Sequence, residues 1–228
     1  MVSREEINRC GDRLRQYWSS GSLEDEEEVL RAWTVVEEFR GGFQYPLQKV
    51  TVGVRQFVAG VSQPVLVAQR LKRMPQIVNK LMRLPKSKLA RMEDIGGCRA
   101  VLQGGGPMVA KVLGRIKANW NVVRVRDYTQ DPKPTGYRSV HVVVERDERR
   151  IEVQLRTLGQ QEWAEAVERA AGRLGCALKD GQGPVEVVEY FRLAAEGIAR
   201  DEVGLTRDVE FLDRFNQARS MARRHLER

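Results

Sequence analysis

Hydrophobic positions change rhythm along this 228-residue chain, and the changes divide it into three parts. Up to about residue 61 the spacing is helical. One amphipathic helix is predicted at about Arg4–Trp18. A second begins after Ser22, where Glu24–Glu28 suit the positive end of a helix dipole. Gly41-Gly42 breaks it and Pro46 restarts the chain, and Leu47, Val50, Val54, Phe57 and Val58 mark a third helical face. Val65–Ala68 then leads into a basic helix at about Pro75–Arg83, with Ile77, Val78 and Leu81 on one side.

The middle of the chain reads as strands mixed with helix. Cys98–Leu102 is a short apolar strand ended by Gly104-Gly105-Gly106, and Pro107 opens a helix to about Asn119 whose buried stripe is Val109, Val112, Leu113 and Ile116. Asn121–Arg126 is a strand. Ser139–Glu145 and Arg150–Arg156 alternate on either side of Asp147-Glu148, which predicts a hairpin. Thr157 caps a helix to about Gly172, and helices near Val185–Asp201 and Thr206–Leu226 finish the chain. The fold class is α+β: a mixed sheet of four to five strands flanked by helices. Its parts are an N-terminal helical extension (1–62), a core (63–172) and C-terminal helices (173–228). Trp18, Trp33, Trp120 and Trp163 are expected in the core.

Charge sharpens the picture. Residues 1–40 carry six Arg against ten Asp/Glu, whereas 70–99 carry nine Lys/Arg against Glu93 and Asp94, and 111–138 carry seven against two. The overall +8 is therefore concentrated mid-chain, a field that attracts polyanions such as nucleotides or RNA. Three scattered cysteines and two histidines exclude a cysteine-based zinc site and a multi-histidine hydrolase centre. The cysteines, the lack of a long apolar run and the polar N-terminus lead us to expect a cytoplasmic protein with no membrane segment.

Three segments carry candidate chemistry. In Ile151–Arg156, alternation puts Ile151, Val153 and Leu155 on one face and Glu152, Gln154 and Arg156 on the other, with His141 on the polar face of the neighbouring strand. In Arg91–Arg99, Asp94 precedes a Gly-Gly step and Arg99 follows on a strand; one or two carboxylates with substrate phosphates suffice to hold Mg²⁺. The plain alternative for Asp94 is a capped turn. The long loop 127–138 sets two prolines, a glycine and two tyrosines beside Lys133 and Arg138, which suits an exposed base-stacking platform.

Taken in order, R-x-K (Arg70, Lys72), D-I-x-G-x-R (Asp94 to Arg99), D-Y-x-x-x-P-K-x-x-G-Y-x-S-x-H (Asp127 to His141) and E-x-Q-x-R-T (Glu152 to Thr157) resemble the synthetase domain of the RelA/SpoT alarmone enzymes. The resemblance runs from about Arg70 to Glu165. It implies a nucleotidyltransferase-like synthetase fold, and a pyrophosphokinase that moves the β,γ-diphosphate of ATP to the 3′-hydroxyl of an acceptor nucleotide, with Mg²⁺. Under it, Asp94 holds the metal, and Glu152 completes the metal site or acts as general base on the acceptor 3′-hydroxyl. Arg70 and Arg99 sandwich adenine, and Lys72 and Lys80 lie near the phosphates. Tyr137 stacks on the acceptor base, Lys133, Arg138 and His141 face acceptor phosphates or ribose, and Gln154 and Arg156 support Glu152.

The resemblance also implies a stand-alone synthetase of the small alarmone synthetase group. It leaves the acceptor open: GDP or GTP, giving (p)ppGpp; the 3′-CCA end of tRNA, as in toxic members with an antitoxin partner; or an adenine nucleotide. Lys86, Lys88 and Arg91, or Arg219, Arg223 and Arg224, are the tRNA-contact candidates. Homo-oligomers occur in the group. A non-catalytic RNA-binding module would have lost Asp94 or Glu152, and both are present. The whole reading requires these two carboxylates to meet and Tyr137 to face their pocket.

Overall fold

The computed structural model describes residues 2–21, 26–61 and 64–227, so the expected start of the second helix at Glu24 lies outside the described residues. Eight helices and five strands are described. They run α1 (Arg4–Ser20), α2 (Glu26–Gly41), α3 (Gln44–Ala59), β1 (Pro64–Leu71), α4 (Met74–Arg83), β2 (Gly96–Leu102), α5 (Gly105–Asn119), β3 (Val122–Asp127), β4 (Val140–Arg146), β5 (Arg149–Thr157), α6 (Leu158–Leu174), α7 (Val185–Glu202) and α8 (Val209–Leu226). Single 3-10 turns stand at Leu89–Arg91 and Leu178–Asp180.

The strands form one sheet in the order β1-β2-β5-β4-β3. Only β2 and β5 are parallel; every other pair is antiparallel. The β4–β5 hairpin turns at Asp147-Glu148, both with positive φ (49° and 61°), the geometry that matches strand twist across a two-residue turn.

Alternation then decides what each face is for. Cys98, Ala100 and Leu102 of β2, Ile151, Val153 and Leu155 of β5, and Val140, Val142 and Val144 of β4 are all buried in one core with Leu47, Val50 and Val54 of α3 and Val109, Val112 and Ile116 of α5. Ile7, Leu14 and Val36 from α1 and α2 join the same cluster, so the N-terminal helices share the sheet's core. Gly96 belongs to this side: a Cβ there would meet Ile151 Cδ1 at 2.7 Å. Trp18 departs from expectation. It is 45% exposed, stacking on Trp33 at 5.7 Å between centroids, because it lies in the last turn of α1 beyond the reach of that core.

A second core forms around α6, α7 and the turn at Leu178, with Trp163 buried as expected and its indole N–H donating to Phe191 O (2.7 Å). The sheet reaches it through the end of β5. Thr157 caps α6, accepting from Gln160 N (3.2 Å) while Gln160 Oε1 accepts from Thr157 N (3.3 Å), and the Thr157 hydroxyl also donates to Glu202 of α7. Thr157→Ala removes the cap and the tie together. It should lower unfolding free energy by about 1–2 kcal/mol, measured by chemical denaturation, with the α6 backbone losing protection from hydrogen exchange first.

Candidate active site

The polar face of the sheet is set by register. Across one row, Arg124 of β3 is paired with Val143 of β4, Val143 with Glu152 of β5, Glu152 with Gly97 of β2, and Gly97 with Arg70 of β1. The next row reads Arg126, His141, Gln154, Arg99, Ala68. Side chains two apart share a face, so Glu152, Gln154, His141, Arg99, Arg70 and the two β3 arginines all stand on one side. At the middle of the first row Gly97 has no side chain, and a Cβ there would meet only Arg70 O at 3.9 Å. The floor between Arg70 and Glu152 is bare backbone.

Asp94 lies three residues before Gly97, at the same end of the β2–β5 pair as Glu152. Its two oxygens accept from Lys72 Nζ (2.9 Å) and Lys80 Nζ (2.7 Å). Lys72 follows β1 and is anchored by its own backbone N–H on Ile95 O (2.8 Å); Lys80 comes from α4. Burial resists ionisation of Asp94, but Lys80 and Lys72 together outweigh it and hold the carboxyl below its ordinary range. Both lysines are counter-ions of Asp94.

Glu152 accepts from His141 Nδ1 (3.0 Å) and from Gln154 Nε2 (2.7 Å). Burial again opposes its charge, His141 and Gln154 favour it, Asp94 repels it, and the net effect lowers the pKa. Asp94, three residues before Gly97, and Glu152, opposite Gly97, lie at one end of the β2–β5 pair. Beyond His141 the network continues. Arg156 Nη2 donates to Tyr137 Oη (2.9 Å), leaving the tyrosine hydroxyl to donate to His141 Nε2 (2.6 Å) and His141 Nδ1–H to Glu152. Arg156 also reaches Gln154 Oε1 (3.2 Å) and Gln161 Oε1 (2.9 Å), and Gln161 donates to Glu165. Gln154 thus bonds Glu152 directly, and Arg156 bonds Gln154.

Two acceptor-side residues, Tyr137 and Arg138, sit differently from expectation. Tyr137 is 7% exposed, not an open platform: its ring packs edge-on to Tyr128 and His141 and at a tilt to Trp163, with Lys133 and Arg156 cations 5.2 and 5.3 Å from its centroid. The cause is Gly136, at φ 88°, which lets the loop press onto α7; a Cβ there would meet Ala195 Cβ at 2.9 Å and Arg192 Cα at 3.0 Å. His141 bonds Tyr137 with one ring nitrogen and Glu152 with the other, and so orients the carboxylate. Arg138 has the parity of Val140 and lines a 260 Å³ cleft with Pro107, Gln160 and Glu202, on the α5 side. Lys133 is exposed.

Arg70 and Arg99 sit diagonally across β1 and β2 and repel one another, and Arg99 has no hydrogen-bond or ion-pair partner among the described residues. Sequence reasoning passed over Arg124 and Arg126, although the same alternation places them on this face. It also passed over Glu93, which pairs with Arg124 and with Arg150 (3.1 Å) and pins the loop carrying Asp94 to the sheet. Of the tRNA-contact candidates, Lys88 is bound to Asp12 (2.7 Å) and Arg223 to Glu227 (2.5 Å), while Lys86 and Arg91 are exposed.

No group of three metal-ligating side chains occurs among the described residues. Two ionised neighbouring carboxylates fit a hard cation that takes its other ligands from phosphate and water.

Both carboxyls hold protons less readily than their ordinary values of 3.8 and 4.5. The stability they contribute is therefore complete above those values and is lost as pH falls through the lower folded ones. Denaturation midpoints should fall below about pH 5, and Asp94→Asn should flatten that acid limb relative to wild type.

Residues 69–171 match the family described as "Region found in RelA / SpoT proteins". GTP pyrophosphokinase YwaC of Bacillus subtilis is 34% identical over 110 residues, covering 42% of this chain and 52% of that protein. GTP pyrophosphokinase YjbM of the same organism is 32% identical over 109 residues, covering 43% and 52%. The chain spans about half the length of these curated relatives. Among solved structures, small alarmone synthetase 1 from Bacillus subtilis aligns at a TM-score of 0.60 and 25% identity, over 74% of this chain and 92% of that one. Small alarmone synthetase 2 aligns at 0.61 and 24%, over 74% and 96%. No helix among the described residues is long and apolar enough to cross a membrane. Motif order and these likenesses agree: residues 69–171 are similar to the region found in RelA/SpoT proteins, and the fold is similar to that of the small alarmone synthetases.

Proposed function

We propose that this protein is an ATP-dependent pyrophosphokinase whose acceptor is GDP or GTP, giving (p)ppGpp. The observation that carries the reading is the placement of two ionised carboxylates at one end of the β2–β5 pair: Asp94, with its two lysines, in the turn before Gly97, and Glu152, with its histidine, directly opposite Gly97. The relatives named GTP pyrophosphokinase support the acceptor class, as does a similar structure of small alarmone synthetase 1 from Bacillus subtilis bound to its product pppGpp.

The reaction needs in-line placement of two nucleotides and compensation of charge, with little covalent work by protein. The acceptor 3′-oxygen attacks the β-phosphorus of ATP, the bond from that phosphorus to the α–β bridging oxygen breaks, and AMP departs. Glu152 is ionised and held by His141 and Gln154, each of its oxygens keeping a lone pair, so it takes the 3′-hydroxyl proton. Asp94 and Glu152 would hold Mg²⁺, which when bound offsets charge on the β,γ-phosphates. Lys72 and Lys80, already at Asp94, supply fixed positive charge beside those phosphates. Arg70 and Arg99 are diagonal guanidinia of the right kind to hold a flat adenine between them.

Purified protein given γ-labelled ATP and, separately, GDP, GTP, ATP or deacylated tRNA should transfer label to GDP and GTP. Label appearing only in tRNA would replace this reading with the toxic, tRNA-modifying one, and only in a 3′-diphosphorylated adenine nucleotide with an adenine alarmone. Glu152→Gln should lower kcat about 10³-fold while ATP binding by calorimetry stays within about twofold. Tyr137→Phe keeps the ring and cuts the hydroxyl link. With His141 less firmly held, Glu152 ionises less readily, so kcat should drop about tenfold and the acid limb of the pH–rate profile should move to higher pH.

A further inference from the structure

The N-terminal helices reach the end of the sheet where Asp94 and Glu152 stand. The corner between α2 and α3 is built on Phe39 and Phe43, both buried and edge-on to one another at 5.3 Å between centroids. Arg149, at the start of β5, lies over both rings, 5.1 and 5.2 Å from their centroids. Gly96, at the start of β2, leaves room beside them: a Cβ there would lie 3.4 Å from Phe43 Cδ1. The corner is therefore seated against the first residues of β2 and β5, and the last turn of α2 carries Arg40.

Arg40 reaches the end of β1. Its Nε donates to Lys72 O (2.7 Å), and its Nη1 donates to Glu37 Oε1 (2.5 Å) on the same helix. Lys72 stands where the strand gives way to α4. The β1–β2 ladder ends with Leu71 paired to Gly96, and Arg73 is the cap of α4. Lys72 N–H still donates to Ile95 O (2.8 Å), but its carbonyl lies past the ladder and accepts from the guanidinium. The two peptide groups flanking the Lys72 Cα are thus both held, one by the residue after Asp94 and one by α2. A lysine side chain is a flexible four-carbon stem, so its ammonium keeps one place only when its Cα does, and this one ends on Asp94 Oδ2 (2.9 Å). The pair of Arg40 with half-exposed Glu37 contributes little by itself; it orients the guanidinium so that Nε meets the carbonyl.

Resting on the pyrophosphokinase reading above, we propose that Arg40 is a positioning residue for the ATP half of the reaction. It fixes the backbone of Lys72, and through it the ammonium that stands at Asp94 beside the transferred phosphates. Arg40 acts through Lys72 and not on a nucleotide. A misplacement of about 1 Å at a group that compensates charge in the transition state costs up to about a hundredfold in rate, so the loss of one of two backbone anchors is expected to show in kinetics.

Steady-state transfer of label from ATP to GDP compares wild type, Arg40→Gln and Arg40→Lys, and Arg40→Gln again in a Lys72→Met background, all below the lowest of their melting temperatures. Arg40→Gln should lower kcat/KM for ATP about tenfold and leave KM for GDP within about twofold. Arg40→Lys, which can still donate to the carbonyl, should return to within about threefold of wild type. In Lys72→Met, where the ammonium is gone, Arg40→Gln should change kcat/KM for ATP by less than about twofold. A tie that only stabilises the fold would lower the melting temperature with kcat/KM unchanged, or cost the same in both backgrounds, and either result would overturn the proposal. Equal losses on ATP and GDP would overturn it too. Wild-type protein that transfers no label to GDP would instead overturn the pyrophosphokinase reading, and this inference with it.

Discussion

The parallel pairing of β2 with β5 is the constraint on which the rest depends. It sets Gly97 opposite Glu152 and Arg99 opposite Gln154, joining segments more than fifty residues apart. A parallel pair needs a crossover, and here that crossover is α5 with β3 and β4. The pair is held from the other face, where Cys98, Ala100 and Leu102 lie against Val153, Ile151 and Leu155. Because strand side chains alternate with a period of two, the burial that fixes these apolar residues also fixes the height and direction of Glu152 and Arg99. Packing of the core and placement of the chemistry are one event.

On the polar face, charge is kept rather than avoided, and each carboxylate is matched by donors. Asp94 has two ammonium groups; Glu152 has an imidazole and an amide. Without them burial would push both carboxyls toward the neutral form, which could neither hold a cation nor take a proton at neutral pH. The series Arg156–Tyr137–His141–Glu152 extends this matching into the second core, so the orientation of one carboxylate depends on the packing of α6 and α7. Arg99 stands outside that economy of pairs: among the described residues it has no hydrogen-bond or ion-pair partner.

The C-terminal helices therefore complete the site. Gly136 meets α7, Trp163 donates to Phe191, Thr157 is bonded to Glu202, and the Leu178–Asp180 turn reaches both α4 and the acceptor loop. Each contact restrains a residue of the polar face through backbone that has no chemistry of its own. The rigidity of Glu152 is in this sense supplied from thirty to fifty residues downstream.

The sequence by itself determined the α+β class, nearly every element, the hairpin at Asp147-Glu148, the Thr157 cap and the group Asp94, Glu152, Gln154, His141. These follow from local rules: period, cap and turn chemistry, and motif order. What only the tertiary structure decided lies in contacts between distant segments. Tyr137 reads as an exposed ring beside two cations, yet α7 covers it, and no local pattern in 127–138 announces a helix fifty residues away. Arg138 falls on the far side because the strand parity of Val140 extends into the loop, and Lys72 and Lys80 turn to Asp94 because the fold brings a buried carboxylate within their reach. Alternation tells which residues share a face; only packing tells which of them are already spoken for.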